Sequence, residues 1–259
     1  MQELPLVIQT FASYKETIQN CSPLTVKEYC NDLKTFFRFV IAYRAGETEL
    51  EQIDIACVDF AFAASVTTDE IYAFLLYLAH DRGNKTAARA RKLSAIKAFY
   101  RYHTQKSKKL SENPAKEIDS PAIRQALPKY LSLDESLRLL ESVDRMSKTY
   151  ERDYCILTLF LNCGMRLSEL VGIDLADIGD DLHKLTVTGK GSKMRTIYLN
   201  AACRDALERY LRVRAQRAME GGRPILEPSA LFLSGRGRRI SNKTVQWLVK
   251  KQLAASGLA

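Results

Sequence analysis

Two short strings in this 259-residue chain combine residue types that can act on a phosphodiester. The first is Asn162-Cys163-Gly164-Met165-Arg166-Leu167-Ser168-Glu169-Leu170, which places an arginine just past a helix-ending glycine. A guanidinium is a planar fork of donors that matches two phosphate oxygens. The second is Thr188-Gly189-Lys190-Gly191-Ser192-Lys193-Met194-Arg195, a glycine-turned basic segment between β-branched runs. A lysine on such a tip can reach across a cleft as a fixed charge or a proton donor. Arg166 and Lys190 are therefore the candidate catalytic residues. Lys193, on the same turn, is the rival donor, and Glu169, three residues past Arg166, could orient it. An arginine capping a helix end and a solvated turn lysine are the ordinary alternatives. The Gly-Lys-Gly-Ser run is not a nucleotide-binding loop, because it lacks the upstream glycine and precedes a strand.

Composition sets the wider frame. Lys and Arg total 39 against 30 Asp and Glu, a net charge of +9. That excess suits an anionic partner, most often nucleic acid, or simply aids solubility. The six cysteines form no Cys-x-x-Cys pair and read as buried thiols of a reducing compartment. His80, His103 and His183 are too scattered to build a metal cluster. No apolar run approaches the ~18 residues of a membrane span, and Met1-Gln2-Glu3 opens no secretory leader.

The elements around these strings follow from periodicity. Ser22-Pro23 starts a helix carrying Val26, Tyr29, Leu33, Phe37 and Val40. Thr67 and Glu70 form a capping box ahead of Ile71, Phe74 and Leu78. A helix from Lys85-Thr86 buries Leu93, Ile96, Phe99 and Tyr100, and sets Lys85, Arg89 and Lys92 on one face. This part is all-α. Asn113-Pro114, Pro121 and Pro128 then mark a linker, giving domains at 1–112 and 129–259 joined by 113–128. The second domain is mixed. Ser132 to Glu135 is a capping box, and an apolar helix runs from about Tyr154 to Cys163. Leu185 to Val187 and Thr196 to Leu199 form a hairpin. A long helix spans about Ala201 to Met219, and Leu231 to Leu233 is a short strand. A helix capped by Ser241 carries Trp247 as a core residue.

Taken together the strings resemble the tyrosine recombinases, the phage-integrase and Xer-type family, over nearly the whole chain. The segment from Ala90 to Tyr100 is similar to that family's major-groove helix, and Leu127-Pro128-Lys129-Tyr130-Leu131 to its entry into the catalytic domain. Gly164 to Leu170, with Arg152-Asp153-Tyr154, matches the segment bearing its first catalytic arginine, and Gly189 to Arg195 its catalytic-lysine hairpin. The resemblance implies a mainly α fold with a small β-sheet: an N-terminal SAM-like core-binding domain and a C-terminal α+β catalytic domain. It implies strand cleavage and rejoining through a 3′-phosphotyrosyl link, with no cofactor. Arg166 would stabilise the phosphorane and Lys190 would protonate the leaving 5′-oxygen.

The expected partner is a double-stranded recombination site, occupied by homo- or hetero-tetramers of a full-length version, with no membrane and a cytoplasmic, nucleoid-associated setting. The expected DNA contacts are Lys85, Arg89, Arg91 and Lys92, with Arg236, Arg238, Ser241, Asn242 and Lys243 in the second domain. The family's His-x-x-Arg motif, a later His or Trp and the nucleophilic tyrosine all follow the Val245-to-Leu253 helix, where this sequence ends. The catalytic domain is therefore expected to be incomplete. As written the chain is expected to be a monomer that binds DNA without cleaving it, and segments further on would cover apolar surface near Leu167, Leu170 and Trp247. Two alternatives stand beside this reading: a non-catalytic DNA-binding regulator or decayed recombinase, and an unrelated phosphodiester enzyme. Without a carboxylate cluster the latter would not be a metal nuclease.

Overall fold

The computed structural model describes residues 4–122, 130–189, 191, 193–219 and 224–258, with side chains of 217–219 excepted. It is mostly helical with one two-stranded sheet. The chain divides into two compact units, Met1–Leu127 and Pro128–Ala259.

In the first unit α1 (Leu6–Thr17), α2 (Pro23–Ala45), α3 (Phe60–Ser65), α4 (Thr68–His80) and α5 (Thr86–Arg101) enclose an aromatic core. Phe11, Phe36, Phe37, Phe74 and Phe99 are fully buried. They meet mostly edge-on, as Phe11–Phe99 and Phe37–Phe99 do, the arrangement favoured by the ring quadrupole. The expected caps are present. The Ser22 hydroxyl accepts from Thr25 N–H, and Thr67 and Glu70 cap each other reciprocally. A π turn, Tyr102–Lys106, extends α5 and buries His103, whose Nε2 meets the Val7 carbonyl oxygen at 2.9 Å. Burial holds that imidazole well below its ordinary value, at about 4, so it is neutral at pH 7. The segment read as linker starts later than its prolines suggest. Ala115 and Ile118 sit in this core, and Thr68 Oγ1 donates to the Pro114 carbonyl. Its residues 123–128 lie outside the described residues.

In the second unit α7 (Tyr150–Cys163) is the central helix. It packs on α9 (Ala201–Met219) through Cys155, Ile156 and Leu159 against Cys203, Ala206 and Leu207, and on α6 (Leu133–Glu141) through Leu157 against Leu139. Its start precedes the expected Tyr154, because the first turn is polar and carries no apolar period. Gly164 (φ 54°) ends it in a left-handed cap. α8 (Leu167–Gly172) and α10 (Asn242–Ala255) complete the helical layer.

The hairpin pairs β1 (Lys184–Thr188) with β2 (Met194–Tyr198), Val187 facing Arg195. β1 buries Leu185 and Val187, whereas β2 is largely exposed. Two strands alone are marginal in water. Burying Leu185 and Val187, roughly 1.5–3 kcal/mol each, docks the pair.

Three expectations change. Leu231 to Leu233 is not a strand: Ala230 and Leu233 make only isolated bridges, to Asp174 and Arg239. Backbone bonds link Leu231 N–H to the Ile173 carbonyl and the Phe232 carbonyl to Ile240 N–H. Tyr210 Oη adds to them, donating to the Leu231 carbonyl and accepting from Leu233 N–H, each at 3.1 Å. Arg214 adds bonds to Leu231, Pro228 and Ala230 carbonyls. Trp247 is 63% exposed, with Lys251 over its ring, because Val245 and Leu248 take the inward face of α10. Cys57 is exposed, while Cys155 and Cys203 are buried, and all six cysteines are free.

An apolar groove of about 1110 Å³ lies among α6, α7, α8 and α10, lined by Leu139, Phe160, Leu167, Val249 and Leu253. Leu167 is thus partly open, but Leu170 is fully buried.

Removing the Tyr210 hydroxyl strands a buried N–H. Tyr210→Phe is expected to lower stability by about 1–3 kcal/mol, read from urea midpoints at unchanged m-value. A change below a few tenths would show that the hydroxyl does not help to hold this segment.

Candidate active site

Arg166 is the N-cap residue of α8, directly after the Gly164 cap of α7. Its backbone is extended (φ −76°, ψ 155°), so its side chain leaves the helix end, and it is 73% exposed. Glu169 lies one turn on and is 1% exposed. It folds back as a capping carboxylate. Oε2 accepts from Arg166 N–H at 2.8 Å, and Oε1 from Arg166 Nη1 at 2.8 Å. A third donor comes from the hairpin: Arg195 Nη2 reaches Glu169 Oε2 at 2.9 Å and the Gly164 carbonyl at 3.3 Å. Arg195, 47% exposed, was not singled out by its sequence, where it looks like an ordinary strand cation. Its register opposite the buried Val187 was the available signal.

The hairpin's base closes on the same carboxylate. Gly189 N–H donates to the Lys193 carbonyl at 2.7 Å. A Cβ on Gly189 would stand 3.1 Å from Glu169 Oε1 and 3.9 Å from Arg166 Nη1. Backbone therefore lies directly over the Arg166–Glu169 pair. Lys190 and Ser192 lie outside the described residues, and Lys193 is exposed.

The electrostatics follow. The N–H of Arg166, opposed by burial and aided by both guanidiniums, holds the Glu169 carboxyl down at about 2. One carboxylate faces two guanidiniums, so the cluster keeps one positive charge in excess. Such a surface attracts an anion at the exposed end of Arg166. Arg152, in contrast, is structural: it pairs with Asp153 and donates to the Leu233 carbonyl.

The other expected contacts divide. Lys85 is exposed at the N-cap of α5. Arg89 turns onto the Asn84 carbonyl and Thr86. Arg91 and Lys92 both pair with the buried Asp32, at 2.5 and 2.9 Å, and Lys92 is only 14% exposed. The α2 carboxylate thus draws Lys92 out of the exposed face that its spacing suggested. In the second unit Arg236, Arg238, Ser241, Asn242 and Lys243 are all exposed and adjoining, and Ser241 Oγ caps α10 through Thr244 N–H. Among the described residues no group of His, Cys, Asp or Glu is set to hold a metal ion, and no helix is long and apolar enough to cross a membrane.

Glu169 supplies stability through a depressed carboxyl. That contribution is complete above its ordinary 4.5 and is lost as pH falls toward about 2. Glu169→Gln is expected to cost about 2 kcal/mol near neutrality, and its gap from the parent chain should close across that acid window. A gap independent of pH would remove the ionised carboxylate from the account.

Comparison with known proteins agrees in both units. Residues 8–107 match the phage integrase N-terminal SAM-like domain, and residues 129–259 the phage integrase family. The chain is 46% identical over 257 residues to the tyrosine recombinase XerC of Caldanaerobacter subterraneus subsp. tengcongensis, covering 98% of this chain and 70% of the relative. It is 34% identical to XerC of Myxococcus xanthus, over 95% of this chain and 75% of that one. Two solved structures share the fold. XerH bound to a palindromic difH substrate has TM-score 0.67 at 19% identity, covering 97% of this chain and 68% of that one. A lambda integrase dimer on a COC′ core site has TM-score 0.63 at 18% identity, with coverage of 97% and 82%. With a SAM-like helical unit followed by this arginine-bearing α+β unit, the chain belongs to the phage integrase family of tyrosine recombinases.

Proposed function

We propose that this chain engages duplex DNA as part of a site-specific recombinase, with Arg166 gripping the phosphate at which strands are exchanged. The observation that carries this reading is the Arg166–Glu169–Arg195 cluster. It presents an exposed guanidinium whose anchor is a fully buried carboxylate. Arg166 is thus aimed before DNA arrives, which is what stabilising a developing phosphorane charge requires. Lys190 is assigned by resemblance as the acid for the leaving 5′-oxygen, with Lys193 as the rival. Exposed Lys85, Arg236, Arg238, Asn242 and Lys243 form the positioning contacts to phosphates, together with Ser241 at the start of α10. Arg91 stays half-exposed and contributes from α5, beside Arg89 and Lys92, whose heads are also engaged by Asn84, Thr86 and Asp32. The DNA-bound recombinases that share this fold, among them a lambda integrase tetramer on a Holliday junction, and the XerC relatives support a recombination site as the substrate, with tetramers as the working assembly.

The attacking group is a separate matter. Tyr210 is buried with its hydroxyl committed to Leu231 and Leu233. Tyr198 pairs with Lys184, at the end of the hairpin away from its turn. Neither stands beside Arg166. In this reading residues 1–259 bind DNA and charge-stabilise a phosphate without themselves forming a covalent link, which also fits a regulator that occupies recombinase sites.

Two measurements decide. On a nicked duplex, no SDS-resistant protein–DNA species is expected; its appearance would place a nucleophile within these residues. Affinity should fall with salt by roughly 0.9 in log–log slope per neutralised phosphate. The pair Arg236→Gln and Arg238→Gln should flatten that slope by about 1.8, and an unchanged slope would take the loop out of the interface.

A further inference from the structure

Arg195 is a puzzle of placement. It belongs to the exposed strand of the hairpin, yet its guanidinium turns inward to a carboxylate that already serves Arg166. Glu169 has two oxygens and three donors. Oε1 takes Arg166 Nη1; Oε2 takes Arg166 N–H and Arg195 Nη2.

We propose that Arg195 is a positioning residue for Arg166: by holding Oε2 it limits the Arg166 guanidinium to a single attachment and leaves the rest of the fork for a DNA phosphate. This rests on the reading of Arg166 as a phosphate ligand.

Three observations support it. Arginine and carboxylate tend to close on each other through two parallel bonds. Here that closure is absent, although the two residues are one helical turn apart: the Arg166 guanidinium gives Glu169 only Nη1, and the other bond comes from its backbone N–H. Beside the Arg166 N–H bond, Arg195 takes the Oε2 lone pair that a second guanidinium bond would need. Charge tells the same story. With Arg195 the cluster keeps one positive charge in excess, and without it the cluster is neutral. Finally, Arg195 also bonds the Gly164 carbonyl, and Gly189 backbone lies over Glu169 Oε1. The hairpin thus both splits the carboxylate and shields it from water, where a pair of this kind is stronger. Removing the Arg195 charge frees one lone pair of Oε2, which still accepts from Arg166 N–H. Arg166 can then close on both oxygens and withdraw from the phosphate.

The test is a double-mutant cycle on the whole chain, read as fluorescence anisotropy of a short labelled duplex. The variants are Arg195→Gln, Arg195→Lys, Arg166→Gln and Arg166→Gln with Arg195→Gln. Arg195→Gln is expected to weaken binding about tenfold, or ~1.4 kcal/mol. Arg195→Lys should recover most of that, since it returns a cation to Oε2. In the Arg166→Gln background Arg195→Gln should cost nothing further. The acid limb of stability assigned to Glu169 should stay low in Arg195→Gln, because Arg166 N–H remains and its guanidinium closes on the freed lone pair, whereas loss of the ion pair without that closure would move the limb up.

Equal losses in both backgrounds, with Arg166→Gln itself impaired, overturn the role of Arg195 and leave Arg166 standing. Arg166→Gln without effect sinks the phosphate reading, and any Arg195→Gln effect then counts against positioning as well. Should Arg195→Gln unfold, Arg195→Lys carries the cycle: near-parent affinity supports the proposal, and a loss that persists without Arg166 overturns it.

Discussion

A carboxylate removed from water needs partners for its charge and its lone pairs, and Glu169 finds both in one place. Its oxygens take a backbone N–H and a guanidinium from the start of α8, and a second guanidinium from the hairpin. Helix end, helix start and strand are therefore fixed to a common point. The Gly164 cap, the extended backbone at Arg166 and the bare Cα of Gly189 all serve that arrangement. The rest of the second unit is the frame: α7 between α6 and α9, with Leu185 and Val187 seating the hairpin.

The first unit uses the same device elsewhere. Asp32, buried on α2, holds Arg91 and Lys92 of α5, so two helices are joined by charge across an otherwise aromatic core. In both units a buried acid decides which cations remain outward. Arg166 and Arg91 stay outward while each shares its acid with a second cation. Lys92 does not, because Asp32 draws it in.

Much of this was legible in sequence. The caps at Ser22, Thr67, Ser132 and Ser241 depend on residues three apart and could be read locally. So could α9 and the hairpin, and the pairing of the Arg166 and Lys190 strings identified the family. What could not be read depends on partners distant along the chain. Trp247 and Val245 have similar apolar character, and only the packing of α10 tells which faces inward. The segment Leu231 to Leu233, expected as a strand, is held by backbone bonds to Ile173 and Ile240 and by Tyr210, on a helix. Arg195 and Lys92 were invisible as ion-pair members because their acids lie on other elements.

The basic turn at Arg236 to Arg238 has a consequence of another kind. Gly237 sits at φ 77°, and a Cβ there would stand 2.1 Å from the Pro224 carbonyl oxygen. Its own carbonyl accepts from Leu226 and Glu227 N–H, while Ser234 N–H donates to the Arg238 carbonyl. The turn is thus locked by backbone bonds on both sides, with its arginines pointing out. Fixing a backbone residue costs about 1–2 kcal/mol in entropy. Here that ordering is completed when the chain folds, so little of it is left to be met when an anionic surface arrives.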